Sequence, residues 1–474
     1  MRTTFHLKTL AVAIATLSVA SMTNAAGLDR SGQDVTAFFQ DGTYAEAVYT
    51  YIDADVSGYD SANTNPSQND YVRGDKTGDI AESYDFFRYG VKADINDTFS
   101  VGILYDEPFG AAAEYTQGNF VSEGDVDASI ASITNGAAPS LAAAQAGIGA
   151  LAPGEAAGVL TPEQQAQLDG LRGAVAVAQA EAGTAGENTN VEVRSQSLTG
   201  LIGMKFGANK NFQVYGGPVA QRIEADTKLR GLAYGPASGY TSTSNPDMDY
   251  GYIAGIAYYK PEIALKAALT YRSEIDHDIQ ISESYPLVAI RATAAGATPE
   301  QAAAAANRNS KYEISTPKSV NFDFQTGINP TTLATAKVRW VPWSDFVITP
   351  PLYNDTSKIS YGPDGLNLVE YKDDQWQVEL GLAKRVAPAL AISGTVGWDS
   401  GAGNPTTSLG PVEGYYSVGL GAKYNVTENW AVSAGGKYLW FGDAQGQLPS
   451  DKIVADFEDN DGFIAGVKVS YQAR

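Results

Sequence analysis

His6 and His277 are the only imidazoles in this 474-residue chain, and it contains no cysteine. Thiol nucleophiles, thiolate metal sites and disulfides are therefore excluded. A serine triad or a histidine-based zinc site would have to be built around His277 alone, which is expected instead at the surface, at the outer end of a strand. Asp53, Asp55, Asp60, Asp70, Asp75 and Asp79 could attract a divalent cation but lack the ordered spacing of an EF-hand loop, and a solvated acidic loop is expected. The chain reads as no enzyme, with no cofactor and no metal centre.

Arg88, Arg222, Arg272, Lys337 and Arg339 fall on the polar sides of alternating segments, where an enclosed cation pairs with a neighbouring acid or receives the carboxylate of a ligand. Leu265, Ala267, Leu269 and Tyr271 alternate with Lys266, Ala268, Thr270 and Arg272, which turns Arg272 inward; Gln221 and Ile223 are expected on the face opposite Arg222. Upstream, Leu28, Val35, Phe38 and Phe39 bring apolar side chains to a stretch without strand pattern.

Strands must position these residues. Segments of about ten residues alternate apolar with small or polar side chains, near 43–53, 83–95, 98–108, 193–207, 211–226, 248–260, 262–278, 315–328, 331–344, 373–385, 388–399, 412–425, 428–441 and 461–472. That makes fourteen, an even number. Their connections alternate between turns of a few residues, as at Asn96-Asp97 or Asn329-Pro330, and long links such as 109–192 and 279–314. Short turns at one end and long loops at the other are the geometry of an outer-membrane barrel. Tyr271, Trp340, Trp343, Trp398, Trp430, Tyr438 and Trp440 sit near strand ends, as aromatic girdles require.

Export is expected from the N-terminus. Arg2 and Lys8 precede an apolar run from Leu10 to Ala20, and Thr23-Asn24-Ala25 offers small residues for cleavage. Residues 1–25 are thus a signal peptide. Its removal takes away two positive charges and no acids, so the net charge of −22 becomes −24, which argues against nucleic-acid binding. Two Ala-rich links carry the same helix start, Thr161-Pro162-Glu163-Gln164 and Thr298-Pro299-Glu300-Gln301, with Thr as cap, Pro in the first turn and Gln at the third position. A helix with a Leu168, Leu171, Val175 stripe is expected after the first, and another over 140–151; an extracellular helix has no other obvious core for that stripe, so it is expected to capture the ligand.

Several runs resemble the long-chain fatty acid transporters of the outer membrane, the FadL type. They are Ala26-Gly27-Leu28, Val48-Tyr49 through Gly58, Thr270-Tyr271-Arg272-Ser273-Glu274, Trp343-Ser344-Asp345-Phe346, Trp398-Asp399-Ser400 and the closing strand pair. The resemblance implies an all-β, monomeric, fourteen-strand transmembrane barrel over 43–474 and a hatch folded inward over 26–42. It also implies passive uptake of fatty acids or of aromatic hydrocarbons such as toluene, with a sideways exit through the wall. Each CH₂ of an acyl chain returned to water costs ~0.8 kcal/mol, so such a cargo needs a continuous apolar path, and a lumen cation would receive its carboxylate; the ligand contacts expected on this resemblance are Arg222, Arg272, Arg339, Leu28, Phe38 and Phe39. Arg222 falls about where the family's carboxylate-binding basic residue lies. The stretch before the first strand is short and has no Asn-Pro-Ala motif, so the family's gating does not carry over with the fold. The alternative reading is a general diffusion porin with an open lumen.

Overall fold

A computed structural model describes residues 28–473; the expected signal peptide lies outside the described residues. Fourteen strands close on themselves, each antiparallel to its neighbours. In chain order they are β1 (Thr43–Asp55), β2 (Tyr84–Asp94), β3 (Phe99–Asp106), β4 (Asn190–Phe206), β5 (Phe212–Lys228), β6 (Asp247–Lys260) and β7 (Leu265–Arg272). They continue with β8 (Ser319–Asn329), β9 (Thr332–Val341), β10 (Gln375–Ala387), β11 (Leu390–Asp399), β12 (Glu413–Asn425), β13 (Trp430–Gly442) and β14 (Asp461–Ala473). The circle closes where β1 pairs with β14, from Thr43 opposite Ala473 to Asp55 opposite Asp461. Closure removes sheet edges, which the bilayer would leave unpaired.

The alternation sorts side chains as lipid demands. Ile103, Leu198, Ile202, Leu380, Leu420 and Val467 are exposed on the outside, while their strand neighbours face inward. In water such a belt would be an aggregation surface; in a bilayer it is solvated by hydrocarbon. Aromatic rings gather at both ends of the wall. Phe206, Phe212 and Tyr258 cluster near the short turns, as do Trp430 and Tyr471, and Trp340 with Trp376 and Tyr438 with Trp440 lie near the long loops. Trp343 does not join a girdle. It is fully buried among Phe109, Phe346 and Tyr371 in the core that fills the outer mouth.

The long loops build that core. Two strands run on beyond the barrel, β7 as Ile275–Ser284 and β8 preceded by Asn307–Thr316, and these extensions pair with each other. Six helices pack above the wall: α1 (Val126–Ile133), α2 (Leu141–Ala156), α3 (Pro162–Ala182), α4 (Pro286–Ala294), α5 (Pro299–Ala306) and α6 (Pro351–Tyr361). Both Thr-Pro-Glu-Gln starts form capping boxes: Thr161 Oγ1 accepts from Gln164 N and Thr298 Oγ1 from Gln301 N, each with the reciprocal glutamine bond.

The stripe on α3 is not a capture surface. Leu171 and Ala178 are buried against Ile130 of α1 and Ala144 of α2, with Val175 packed beside them, and Leu168 is fully buried. The neighbouring helices supply a core for the stripe. Leu171→Ala should therefore cost about 2–5 kcal/mol within this helical unit. The expected readout is faster proteolysis of 126–182, with the heat-modifiable electrophoretic mobility of the barrel unchanged.

Candidate functional site

Residues 28–42 enter the barrel and are held by charge. Arg339 Nε and Nη2 donate to Asp29 Oδ2 and Oδ1 at 2.6 and 3.1 Å, both side chains buried. Lys337 Nζ donates to Asp34 Oδ2 at 3.0 Å, and Arg88 stands 3.6 Å from the same carboxylate and 3.6 Å from Glu46. Gln33 Oε1 accepts from Ser319 Oγ at 2.6 Å, and Asn321 Nδ2 donates to Gly32 O at 2.8 Å. Deeper in, Lys266 Nζ caps the Phe39 carbonyl at 2.8 Å. The lumen cations named from sequence thus serve mainly to fasten this segment.

The turn Thr36–Phe39 places two rings across the lumen. Phe38 and Phe39 stand 5.9 and 5.2 Å from Tyr215. Glycine makes room for them: a Cβ on Gly102 would meet the Phe38 ring at 2.7 Å, and one on Gly203 would meet it at 3.0 Å. Leu28 sits higher, in the mouth core with Phe109.

Arg272 is buried, faces the lumen, and donates from Nη1 to Thr199 Oγ1 at 3.2 Å. Its Nε has no hydrogen-bond partner, and among the described residues it forms no ion pair with a carboxylate within 4 Å. Arg222 departs from expectation. Its side chain is 44 % exposed on the outer face and lies 3.5 Å from Glu224, while Gln221 and Ile223 point inward. Near the mouth the inner wall meets the apolar core, so the inside is greasy and the outside polar, the reverse of the membrane-level pattern. His277 is likewise not a surface residue; it is wholly buried. The acidic loop is organised around Asp60, whose carboxylate accepts from Asp75 N at 2.7 Å and Asn119 N at 2.5 Å.

The third strand is interrupted at Glu107-Pro108-Phe109 before resuming as Gly110–Glu114. The β2–β3 ladder extends only from Asp94 opposite Ser100 to Tyr89 opposite Tyr105. Beyond it the entering segment completes the edge: Arg30 N donates to Pro108 O and Gly110 N to Leu28 O, both at 2.8 Å. The adjoining recess of about 930 Å³ is lined by Arg30, Glu82, Glu107, Arg194, Arg222 and Glu224 among others. A hydrocarbon leaving there would have to pass charged side chains.

Two apolar spaces lie above and below the seal. At the mouth, a cleft of about 850 Å³ is lined by Leu229, Tyr234, Tyr285, Leu287, Tyr353 and Leu368, with Arg291 and Lys452 also on its walls. Glu283 positions α6 beside it by accepting from Leu352 N and Tyr353 N at 2.9 and 3.0 Å, an anion at a helix start. Lys452 Nζ donates to Asn65 O at 2.7 Å; burial pushes its ammonium down to about 8, against a smaller opposing pull from Asp70. The second space, about 760 Å³, runs past Phe39 along Ala257, Ala268, Phe324 and Ala383. Sequence reasoning missed the cleft because its walls come from several separate loops; the one local signal is tyrosine beside proline, at Tyr285-Pro286 and Pro351-Leu352-Tyr353.

A closed barrel with a lipid-facing belt, an N-terminal segment folded into its lumen and apolar spaces on both sides of that segment defines an outer-membrane transport protein. The family described as outer membrane protein transport protein (OMPP1/FadL/TodX) matches residues 12–472. The chain belongs to that family, whose members are outer-membrane transporters for hydrophobic compounds in Gram-negative bacteria. No curated protein matches the sequence significantly. Among solved structures, a Pseudomonas aeruginosa FadL homologue superposes with a TM-score of 0.58 at 14% identity, over 92% of this chain and 91% of that one. The P. putida toluene transporter TodX does so with 0.52 at 11% identity, over 96% and 94%. At these identities the likeness is one of fold.

Proposed function

We propose that this barrel takes up long-chain fatty acids by passive diffusion, acting as a monomer because the whole path lies within one chain. The observation that carries this reading is the mouth cleft, where tyrosine and leucine surfaces meet two cations. An aromatic hydrocarbon, the cargo of the TodX relative, has no use for a cation there. A carboxylate does, and Arg272 offers it a third cation, within the lumen. A general diffusion porin is disfavoured by the seal at Phe38 and Phe39.

Decanoate and its methyl ester, titrated into the purified barrel, test this. The Lys452 ammonium holds its proton below about pH 8 and loses it above, so decanoate affinity should fall from pH 7 to 9 while the ester's stays level. Lys452→Arg should flatten the decanoate profile. Arg272→Ala should weaken decanoate by roughly ten- to a hundredfold, the worth of a charge-assisted hydrogen bond at ~1.5–3 kcal/mol, and leave the ester within about twofold. Equal behaviour of acid and ester would make an uncharged hydrocarbon the better cargo.

A further inference from the structure

On the inner wall near the mouth, two acceptor atoms confront each other out of reach of solvent. His277, on the extension of β7, is fully buried. Its Nε2 is hydrogen-bonded to Gln221 Oε1 at 3.1 Å, and that oxygen also accepts from Thr316 Oγ1 at 2.7 Å. Nε2 therefore carries the ring proton, and Nδ1 is left with its lone pair. Nδ1 has no hydrogen-bond partner; it stands 3.5 Å from Asp247 Oδ2, which has none either. Asp249, two residues further on the same face of β6, adds a third donor, and one ligand atom from each of the three lies within 4.8 Å of the others.

Two lone pairs facing each other away from solvent repel unless a proton or a metal cation lies between them. Zinc bound to nitrogen and oxygen at ~2.0–2.1 Å in tetrahedral geometry sets neighbouring ligand atoms ~3.3 Å apart, close to the 3.5 Å between His277 Nδ1 and Asp247 Oδ2. We propose that Asp247, Asp249 and His277 form a site for a divalent transition-metal ion, with zinc the best fit. An imidazole among the ligands disfavours calcium and magnesium, which prefer oxygen alone. Gln221 is the outer partner that fixes the ring and its tautomer. The bound ion ties β6 to the extension of β7 across the break at Ser273-Glu274, where the wall passes from membrane to mouth.

The test uses the full barrel in detergent, stripped with EDTA and free of any histidine tag. Zinc is titrated calorimetrically and cobalt by its visible absorption. One saturable site is expected, with cobalt bands typical of a nitrogen and oxygen set. Asp247→Asn and His277→Gln should each weaken zinc by ~10-fold or more, and zinc should raise Tm in the parent protein and in neither variant. If a variant fails to fold, Asp249→Asn, at a partly exposed position, replaces it. The proposal is overturned by zinc binding that all variants share, which would place the ion in the acidic loops. It is equally overturned by a folded parent that binds no zinc, which would make Asp247 and His277 an ordinary ion pair.

Discussion

Deletion of Asp29 to Gln40 is expected to leave a barrel that folds and inserts but conducts ions freely, with conductance rising by roughly an order of magnitude or more towards that of an open porin. The segment adds no ladder to β1, which pairs along its length with β14 and with β2, so the wall keeps its main hydrogen bonds without it. What is lost is the seal formed by Phe38 and Phe39 against Tyr215. The cations that held it, Arg88, Lys337 and Arg339, would then line a wet pore and favour anions. Planar-bilayer recordings, with heat-modifiable mobility as the folding control, decide the matter. Conductance equal to the parent's would mean that the mouth core closes the channel by itself.

The second large effect is expected at Arg339. Replacing it with Met removes the bidentate partner of a buried carboxylate, Asp29. Breaking one side of a buried pair costs about 3–5 kcal/mol. That cost falls on the docking of residues 28–42 rather than on the strands, so hydrogen exchange and protease cleavage in this segment should accelerate while barrel unfolding hardly moves. Flickering conductance should accompany them. Adding Asp29→Asn should recover much of the loss, because the buried charge that lost its bidentate partner disappears. Barrel unfolding shifted as far as segment release would show that Arg339 stabilises the wall itself.

Much of this architecture could be read from the chain because lipid imposes a period-two code on every spanning strand. Thirteen of the fourteen strands, from Thr43–Asp55 to Asp461–Ala473, follow that code within a few residues at either end, and the seventh, expected over 262–278, instead breaks at Ser273-Glu274. The helix starts at Thr161 and Thr298 were equally legible, since a capping box is a local contact. The code misleads where its premise lapses. At Arg222 the strand has risen above the hydrocarbon, Ile223 turns in towards a protein core, and the arginine turns out to water. The α3 stripe misled for a related reason, since the sequence shows that Leu171 needs a partner but not that α1 and α2 provide it. The mouth cleft was hidden because Tyr234, Tyr285 and Tyr353 meet only through tertiary packing.

The stitch between Leu28, Arg30 and the broken third strand has a consequence for biogenesis. Residues 28–42 cannot complete their docking until a distant part of the chain arrives, because Asp29 pairs with Arg339, 310 positions later. Closing so long a loop is slow and comes after local pairing. Until then the edge at Pro108 to Gly110 is expected to be held only by its two backbone hydrogen bonds to Arg30 and Leu28, with polar backbone open beside the lipid whenever they break. Plugging the channel and finishing its wall become one late event, so an immature barrel is marked by an open seam as well as an open pore.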